Sequence, residues 1–435
     1  MLPLEHILID LCFIGLHLFL FLFNYNVMGK KVFQPCVLFS FVWFIILVLH
    51  FLFRFTVLPD LFTISVETYS VFFIGVACFS IGAYLVALLP TDNKNQQIEV
   101  KAASMQQDLY LSKSLRLIFL SIIIMGLPLY IQAAIKMFVA SQIDDFFVGL
   151  RTEISYGDTD FGPTKYLITL SFVVFGINLY SYFKEKNLFN IVLLVLSLLL
   201  TLTYAVFATG RTFYLIILAL YFGISFFQSK RFAVKKYLGI LAIFMAMFIA
   251  FGVMYGKGGD KKASNKDNFS ESKTVTASYF VASLSAFDLE MNQNTDINYS
   301  GAHTLKFFNL IAQKLSLIPE KKLPDLLQSF VFVPYSTNVF TFYSPYIKDY
   351  GKLYGWFMIG IFGAVHSFLF RRASQNKNIR YTLYFSFMIY PLLMTFFQDQ
   401  YLSLLSSWVQ IVFYTEAFLF LNQLFKRSYD RYNNS

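Results

Sequence analysis

The stretch from Phe189 to Gln228, FNIVLLVLSLLLTLTYAVFATGRTFYLIILALYFGISFFQ, contains two apolar runs, near 189–208 and 211–228, joined only by Ala208, Thr209, Gly210 and Arg211. A helix needs roughly 17 to 25 apolar residues to cross about 30 Å of hydrocarbon, where each backbone polar group must be satisfied inside the segment. The stretch therefore predicts a tight hairpin of two membrane-spanning helices, with Gly210 supplying the permissive backbone of the turn. Nine further runs of this kind lie near 5–23, 34–53, 68–89, 116–138, 164–183, 237–255, 353–370, 381–398 and 402–423. The expected fold is all-α: a polytopic integral membrane protein with about 11 transmembrane helices.

Composition points the same way. Of the 435 residues 57% are hydrophobic and only 14% charged, against about 25% charged in soluble domains. The net charge of +10 does not indicate a nucleic-acid partner, because the basic residues sit in short clusters between apolar runs. Lys30 and Lys31; Lys94, Lys101, Lys113 and Arg116; Lys184 and Lys186; Lys230, Arg231, Lys235 and Lys236; Arg371, Arg372, Lys377 and Arg380; and Lys426, Arg427 and Arg431 fall on alternate sides of successive spans. The positive-inside rule makes those sides cytoplasmic, with the N-terminus periplasmic and the C-terminus cytoplasmic. The opposite short loops are nearly free of basic residues, apart from Arg54 at a helix end, Arg151 with Lys165, and Arg211. Cys12, Cys36 and Cys78 lie in apolar stretches without metal or disulfide spacing and read as small buried hydrophobes. The first apolar run has no basic residues before it, so the first helix is expected to remain as an anchor rather than be cleaved.

This divides the chain into residues 1–255 with the first eight spans, a large outer loop over 256–352, and residues 353–435 with the last three spans and a cytoplasmic tail. The first part of the loop, Gly256 to Ser272, is rich in Gly, Lys, Asp, Asn and Ser and is expected to be mobile. From His303 to Phe332, Leu305, Phe308, Leu310, Ile311 and Leu315 recur at helical spacing, which predicts an amphipathic helix on the outer membrane surface.

None of the common soluble catalytic signatures is present, so the candidate chemistry lies in polar residues at the outer face. Arg211 sits beside the apolar slab, where an arginine either snorkels to head groups or holds a phosphate through its planar fork. Arg151, followed eleven residues later by Gly162, either pairs with Glu153 or Asp145 or helps to neutralise the same anion. His303 is the histidine placed in the large loop, and an ordinary pKa of about 6.5 suits a general base as well as a merely solvated side chain. From Pro334 to Gly351 aromatic and hydroxyl residues alternate, a mixture that stacks on and hydrogen-bonds to sugars and that also forms interfacial belts.

The segment Asn338-Val339-Phe340-Thr341-Phe342, followed by Tyr346, Asp349-Tyr350-Gly351 and Gly355, resembles a pattern of the oligosaccharide repeat unit polymerases, the O-antigen polymerase (Wzy-type) family. Thr209-Gly210-Arg211-Thr212 is similar to that family's short turn between two spans. Tyr279-Phe280 with Ser285-Ala286-Phe287-Asp288 is similar to its loop motif. The resemblance implies a GT-C-like membrane fold in the bacterial inner membrane and a metal-independent glycosyl transfer at the periplasmic face, without a cofactor. A growing glycan would leave undecaprenyl pyrophosphate for the end of a new lipid-linked repeat unit, alongside a chain-length regulator of the Wzz type. On that expectation Arg211 and Arg151 bind the diphosphate, and His303 or Asp288 activates the acceptor hydroxyl. Tyr335, Asn338, Thr341, Tyr343, Tyr346 and Asp349 hold sugars. An O-antigen ligase and a lipid-linked oligosaccharide flippase share parts of this plan.

Overall fold

A computed structural model describes residues 4–89, 111–157, 159–229, 239, 268–293, 301–320, 323–324, 328–376 and 378–433. They form a nearly all-helical, multi-pass membrane protein. Among the described residues eight helices are long and apolar enough to cross a bilayer. The expected span at 237–255 lies outside the described residues, apart from residue 239. So does most of Gly256 to Ser272, whose last residues already belong to a helix that begins at Asn268.

The chain divides into two compact units that interleave in sequence. The first unit takes Met1–Leu89, Gly258–Arg371 and Pro391–Leu405; the second takes Pro90–Lys257, Arg372–Tyr390 and Ser406–Ser435.

In the first unit α1 (Leu4–Val27), α2 (Pro35–Thr56) and α3 (Val66–Ala87) pack together. Pro35 opens α2 at a position where its missing N–H costs nothing. The side chain of Ser65 caps α3 by accepting from the Thr68 amide at 3.3 Å. The arrangement of α1 is the reverse of a water-soluble helix. Its buried residues are Asp10, His17 and Asn24, seven apart on one face, while Leu4, Leu8, Leu11, Phe19 and Phe23 are exposed. Polar side chains turn inward because hydrocarbon offers them no partner. Asn24 donates to Cys36 O at 3.2 Å, Ser40 Oγ at 3.1 Å and Ser80 Oγ at 3.0 Å, and Asp10 ion-pairs with Arg54 of α2 at 2.7 Å.

Then come α9 (Asn268–Asn292), which packs on α2 and α3, and the short α10 (Lys306–Lys314). A two-stranded antiparallel pair, β1 (Val331–Phe332) with β2 (Ser336–Thr337), precedes α11 (Tyr343–Asn376). The amphipathic helix predicted between His303 and Phe332 is thus confined to α10, because the chain leaves helical conformation after Leu315 and Ser316 takes a positive φ of 55°. Where α3 meets α11, Gly82 faces Gly360 O and Gly363 faces Phe79 O so closely that neither position has room for a Cβ. Such backbone-to-backbone approach is how membrane helices gain contact without a hydrophobic driving force. Gly363→Ala is therefore expected to force α3 and α11 apart and destabilise the unit by about 1–3 kcal/mol, the usual cost of overpacking. Unfolding of the detergent-solubilised chain in denaturant measures it.

In the second unit α4 (Lys113–Ser141), α6 (Tyr166–Lys184), α7 (Leu188–Phe207), α8 (Thr212–Gln228), α12 (Ile379–Leu393) and α13 (Leu405–Asn433) share one core. The central member is α6, which has buried residues on every face, while α7 leaves Leu188, Val192, Val195 and Leu199 exposed. Two expected spans come out short. The helix over 211–228 has 17 residues, and the span expected over 381–398 has 15, because it gives way to turns just after Pro391. The turn between α7 and α8 also corrects an expectation: the left-handed residue is Thr209 (φ 54°), not Gly210. Gly210 is required because a Cβ there would stand 2.7 Å from the Phe213 ring.

Candidate functional site

Each unit holds its own share of the predicted residues. In the second unit the side chain of Asp145 caps α5 (Phe146–Tyr156) by accepting from Val148 N at 3.1 Å, and this helix carries Arg151. Phe146 packs edge-on against Phe207 with ring centroids 6.1 Å apart, and both join the cluster around Leu150, Met137 and Ala134. This brings the 208–211 turn to the end of the unit where α5 lies, so Arg151 and Arg211 belong to one region. Arg211 is 7% exposed and Arg151 is half-buried. Gly162 has φ 54°, and the preceding Phe161 stacks on Tyr130 at 4.3 Å, folding the loop back toward α5. Of the acids considered as partners of Arg151, Glu153 accepts from the amide and hydroxyl of Thr159, at 3.2 and 2.6 Å.

In the first unit Asp349 organises the predicted histidine. Its carboxylate is fully buried and accepts from His303 N at 3.1 Å and from Thr304 N and Oγ1, both at 2.8 Å. The Thr304 hydroxyl also lies 2.8 Å from the Tyr350 hydroxyl. Gly301, with φ 63°, lets the chain turn into this cradle. The imidazole of His303 remains half-buried, and Lys348 beside it forms an ion pair with Glu290. Burial holds the His303 pKa below its ordinary value, against the opposing pull of Asp349, so the ring is neutral near pH 7. Gly351, two residues past Asp349, has φ 73° and ψ 173°, which breaks α11 and separates its first turns from the apolar part. That region of backbone space belongs essentially to glycine. Gly351→Ala is expected to cost about 1–3 kcal/mol and to reduce the amount of folded chain recovered, which expression and thermal unfolding measure.

Asp288 has different surroundings. It accepts from Ser65 N at 2.9 Å, Ser65 Oγ at 2.6 Å and Asn292 Nδ2 at 3.3 Å, so its oxygens tie α9 to the start of α3. With three neutral donors on its carboxylate, Asp288 is engaged as a contact between elements of the fold. The predicted sugar-binding residues fall into two groups. Tyr335 and Asn338 are half-buried near the β1–β2 turn, and burial raises the Tyr335 phenol pKa. Thr341, Tyr343, Tyr346 and Asp349 are fully buried. Tyr343 lies among Trp43, Phe72 and Phe287 with its hydroxyl on Phe72 O at 3.2 Å, and Tyr346 donates to Asp399 at 2.9 Å.

Asp399 itself was not singled out by the sequence pattern, since it falls in the short link before α13. It also accepts from Tyr401 N at 3.0 Å and Ser403 N at 2.8 Å, and burial raises its pKa. The Tyr401 hydroxyl lies 3.0 Å from His366 Nε2. These groups fix the chain on which Tyr343, Tyr346 and Asp349 are carried.

Comparison with known proteins supplies the remaining constraint. Over 206 residues, 47% of the chain and 50% of the relative, it is 28% identical to an O-antigen polymerase of Shigella dysenteriae. This chain is similar to O-antigen polymerases. A second match, 26% identity over 133 residues, is to a provisionally named O-antigen polymerase of Escherichia coli (strain K12), covering 31% of this chain and 32% of that one. The chain thus spans about half the length of the first relative and about a third of the second. No protein-family model matches it, and no solved structure matches it significantly.

Proposed function

We propose that this protein polymerises undecaprenyl-pyrophosphate-linked oligosaccharide repeat units into O-antigen or a related surface polysaccharide, at the periplasmic face of the bacterial inner membrane. The observation that carries this reading is the similarity to two O-antigen polymerases, in a chain whose helices are built for a bilayer.

In the reaction the acceptor's terminal sugar hydroxyl attacks the anomeric carbon of the donor glycan. The bond from that carbon to the diphosphate oxygen breaks, and the electron pair leaves with the lipid diphosphate. The hydroxyl proton passes to a base. Because the leaving group is good, the protein's work is to position the reactants and stabilise charge. Arg151 and Arg211, at one end of the second unit, are assigned to the departing diphosphate. His303, neutral and anchored through its backbone to Asp349, is assigned as the base in preference to Asp288, whose carboxylate is already engaged. Tyr335 and Asn338 are the predicted sugar contacts that the fold leaves partly accessible, and the buried Thr341, Tyr343, Tyr346 and Asp349 hold the segment in shape.

The test is polymerisation in proteoliposomes that contain the purified full chain and a lipid-linked repeat unit. Extended lipid-linked chains, formed at an unchanged rate with EDTA present, are the expected result. No extension, or extension that stops with EDTA and resumes with a divalent cation, would contradict respectively the activity or its metal-independent form. Whether a chain-length regulator of the Wzz type acts with this chain is read in the same assay, as a narrowing of product lengths when that partner is added.

A further inference from the structure

Arg54 lies in the last turn of α2, and its side chain is wholly buried. Its Nη1 donates to Asp10 Oδ2 at 2.7 Å, while the Tyr69 hydroxyl donates to Asp10 Oδ1 at 2.6 Å, so both oxygens of that carboxylate are engaged. The other edge of the guanidinium, formed by Nε and Nη2, has no hydrogen-bond partner among the described residues. On that edge of a guanidinium the two N–H groups are parallel, the geometry that fits two oxygens of a phosphate. A buried charged donor without an acceptor is costly, so a fork held in this state by Asp10 and Tyr69 calls for an occupant.

One helical turn earlier on the same face of α2, His50 repeats the pattern. Its Nε2 is 3.2 Å from Ser285 Oγ, and the Ser285 hydroxyl donates its proton to Phe62 O at 2.9 Å. The hydroxyl therefore accepts from Nε2–H, and Nδ1 of the neutral ring is a bare acceptor, buried and without a partner among the described residues. It complements a hydroxyl on whatever group the phosphate carries.

We propose that Arg54, held by Asp10 and Tyr69, is the oxyanion-binding residue of a second phosphate site, located in the first unit and taking a lipid-borne diphosphate. This rests on the polymerase reading, in which each turnover engages two lipid-linked molecules and hence two diphosphates, of which Arg151 and Arg211 account for one. Full burial means that the ligand is admitted only when neighbouring side chains give way.

The test is equilibrium binding of farnesyl diphosphate and, separately, of inorganic phosphate to the full chain in detergent. Native protein is expected to bind two equivalents of farnesyl diphosphate. Arg54→Lys keeps a cation beside Asp10 but lacks the fork, and it is expected to bind one. Arg54→Gln serves as a second variant, compared only where its ligand-free melting matches the native chain. Strong competition by inorganic phosphate would place free phosphate at the fork; weak competition would place the lipid diphosphate there. If Arg54→Lys still binds two equivalents, or if the native chain binds a single equivalent that survives Arg54→Lys, the proposal fails. Loss of one equivalent in Arg54→Lys but none in the Arg151→Lys, Arg211→Lys double variant would keep the Arg54 site and remove the clamp of the polymerase reading.

Discussion

Arg211→Ala is expected to lower the rate of chain extension by about 10²-fold or more, the usual loss when one preorganised donor to a developing oxyanion is removed. Arg211 immediately precedes α8 at 7% exposure, next to a turn in which Thr209 has a positive φ and Gly210 leaves no room for a Cβ beside Phe213. The ligand-free melting of Arg211→Ala, compared with that of the native chain, separates a loss of charge from a loss of fold. Arg211→Lys is expected to recover only part of the rate, because an ammonium supplies charge without the two parallel donors. Arg151→Ala, in the same region, is expected to act on the same step. The double variant should then be less impaired than the product of the two single losses, since residues acting as a unit are not additive. Rates of lipid-linked chain growth in proteoliposomes measure all four. If both alanine variants extend chains at the native rate, the diphosphate clamp is wrong.

The second large effect falls on His303. Removing a general base costs typically 10² to 10⁴-fold, so His303→Ala and His303→Gln are expected to fall in that range. The pH dependence gives a sharper test. Burial lowers the His303 pKa, and the base works only as the neutral ring. Extension should therefore hold its rate as the pH falls toward the ordinary histidine value of about 6.5 and decline only below it. His303→Gln should lose that acidic limb altogether. Asp288→Asn provides the contrast: Ser65 and Asn292 define Asp288 as a fold contact, so its loss should lower stability and leave the pH profile of the folded fraction unchanged. The reverse pattern, with the acidic limb following Asp288, would exchange their roles.

Why some of this could be read from sequence and some could not follows from the solvent. Hydrophobic run length is imposed by the bilayer, so α1, α2, α3, α4, α6, α7 and the apolar part of α11 fall close to their predicted places. The signals that failed are those decided by tertiary contacts. Thr209 takes the left-handed position and Gly210 leaves no room for a Cβ beside Phe213, which no turn propensity encodes. The helix predicted beyond His303 ends at Lys314, as periodicity without a cap does not set length. Asp10, His17 and Asn24 were legible in principle, since polar residues seven apart in an apolar run mark a buried face. Their partners Arg54, Tyr69, Ser40 and Ser80 come from other helices and needed the fold. The same holds for the site. The motif around Asp349-Tyr350-Gly351 marks a segment, but only the structure shows that Asp349 acts on the backbone of His303 and Thr304. Composition marks Tyr343 and Tyr346 as sugar-binding candidates, and their aromatic neighbours and the bond to Asp399 are visible only in the fold.

The most direct test of the central claim is a gel of surface polysaccharide from the native host with this gene deleted and then restored. Polymerase activity predicts that deletion leaves a core bearing a single repeat unit and that restoration returns the ladder. Bare core with lipid-linked repeats accumulating inside would identify a flippase, and bare core with long lipid-linked chains outside would identify a ligase; either result would contradict the polymerase assignment.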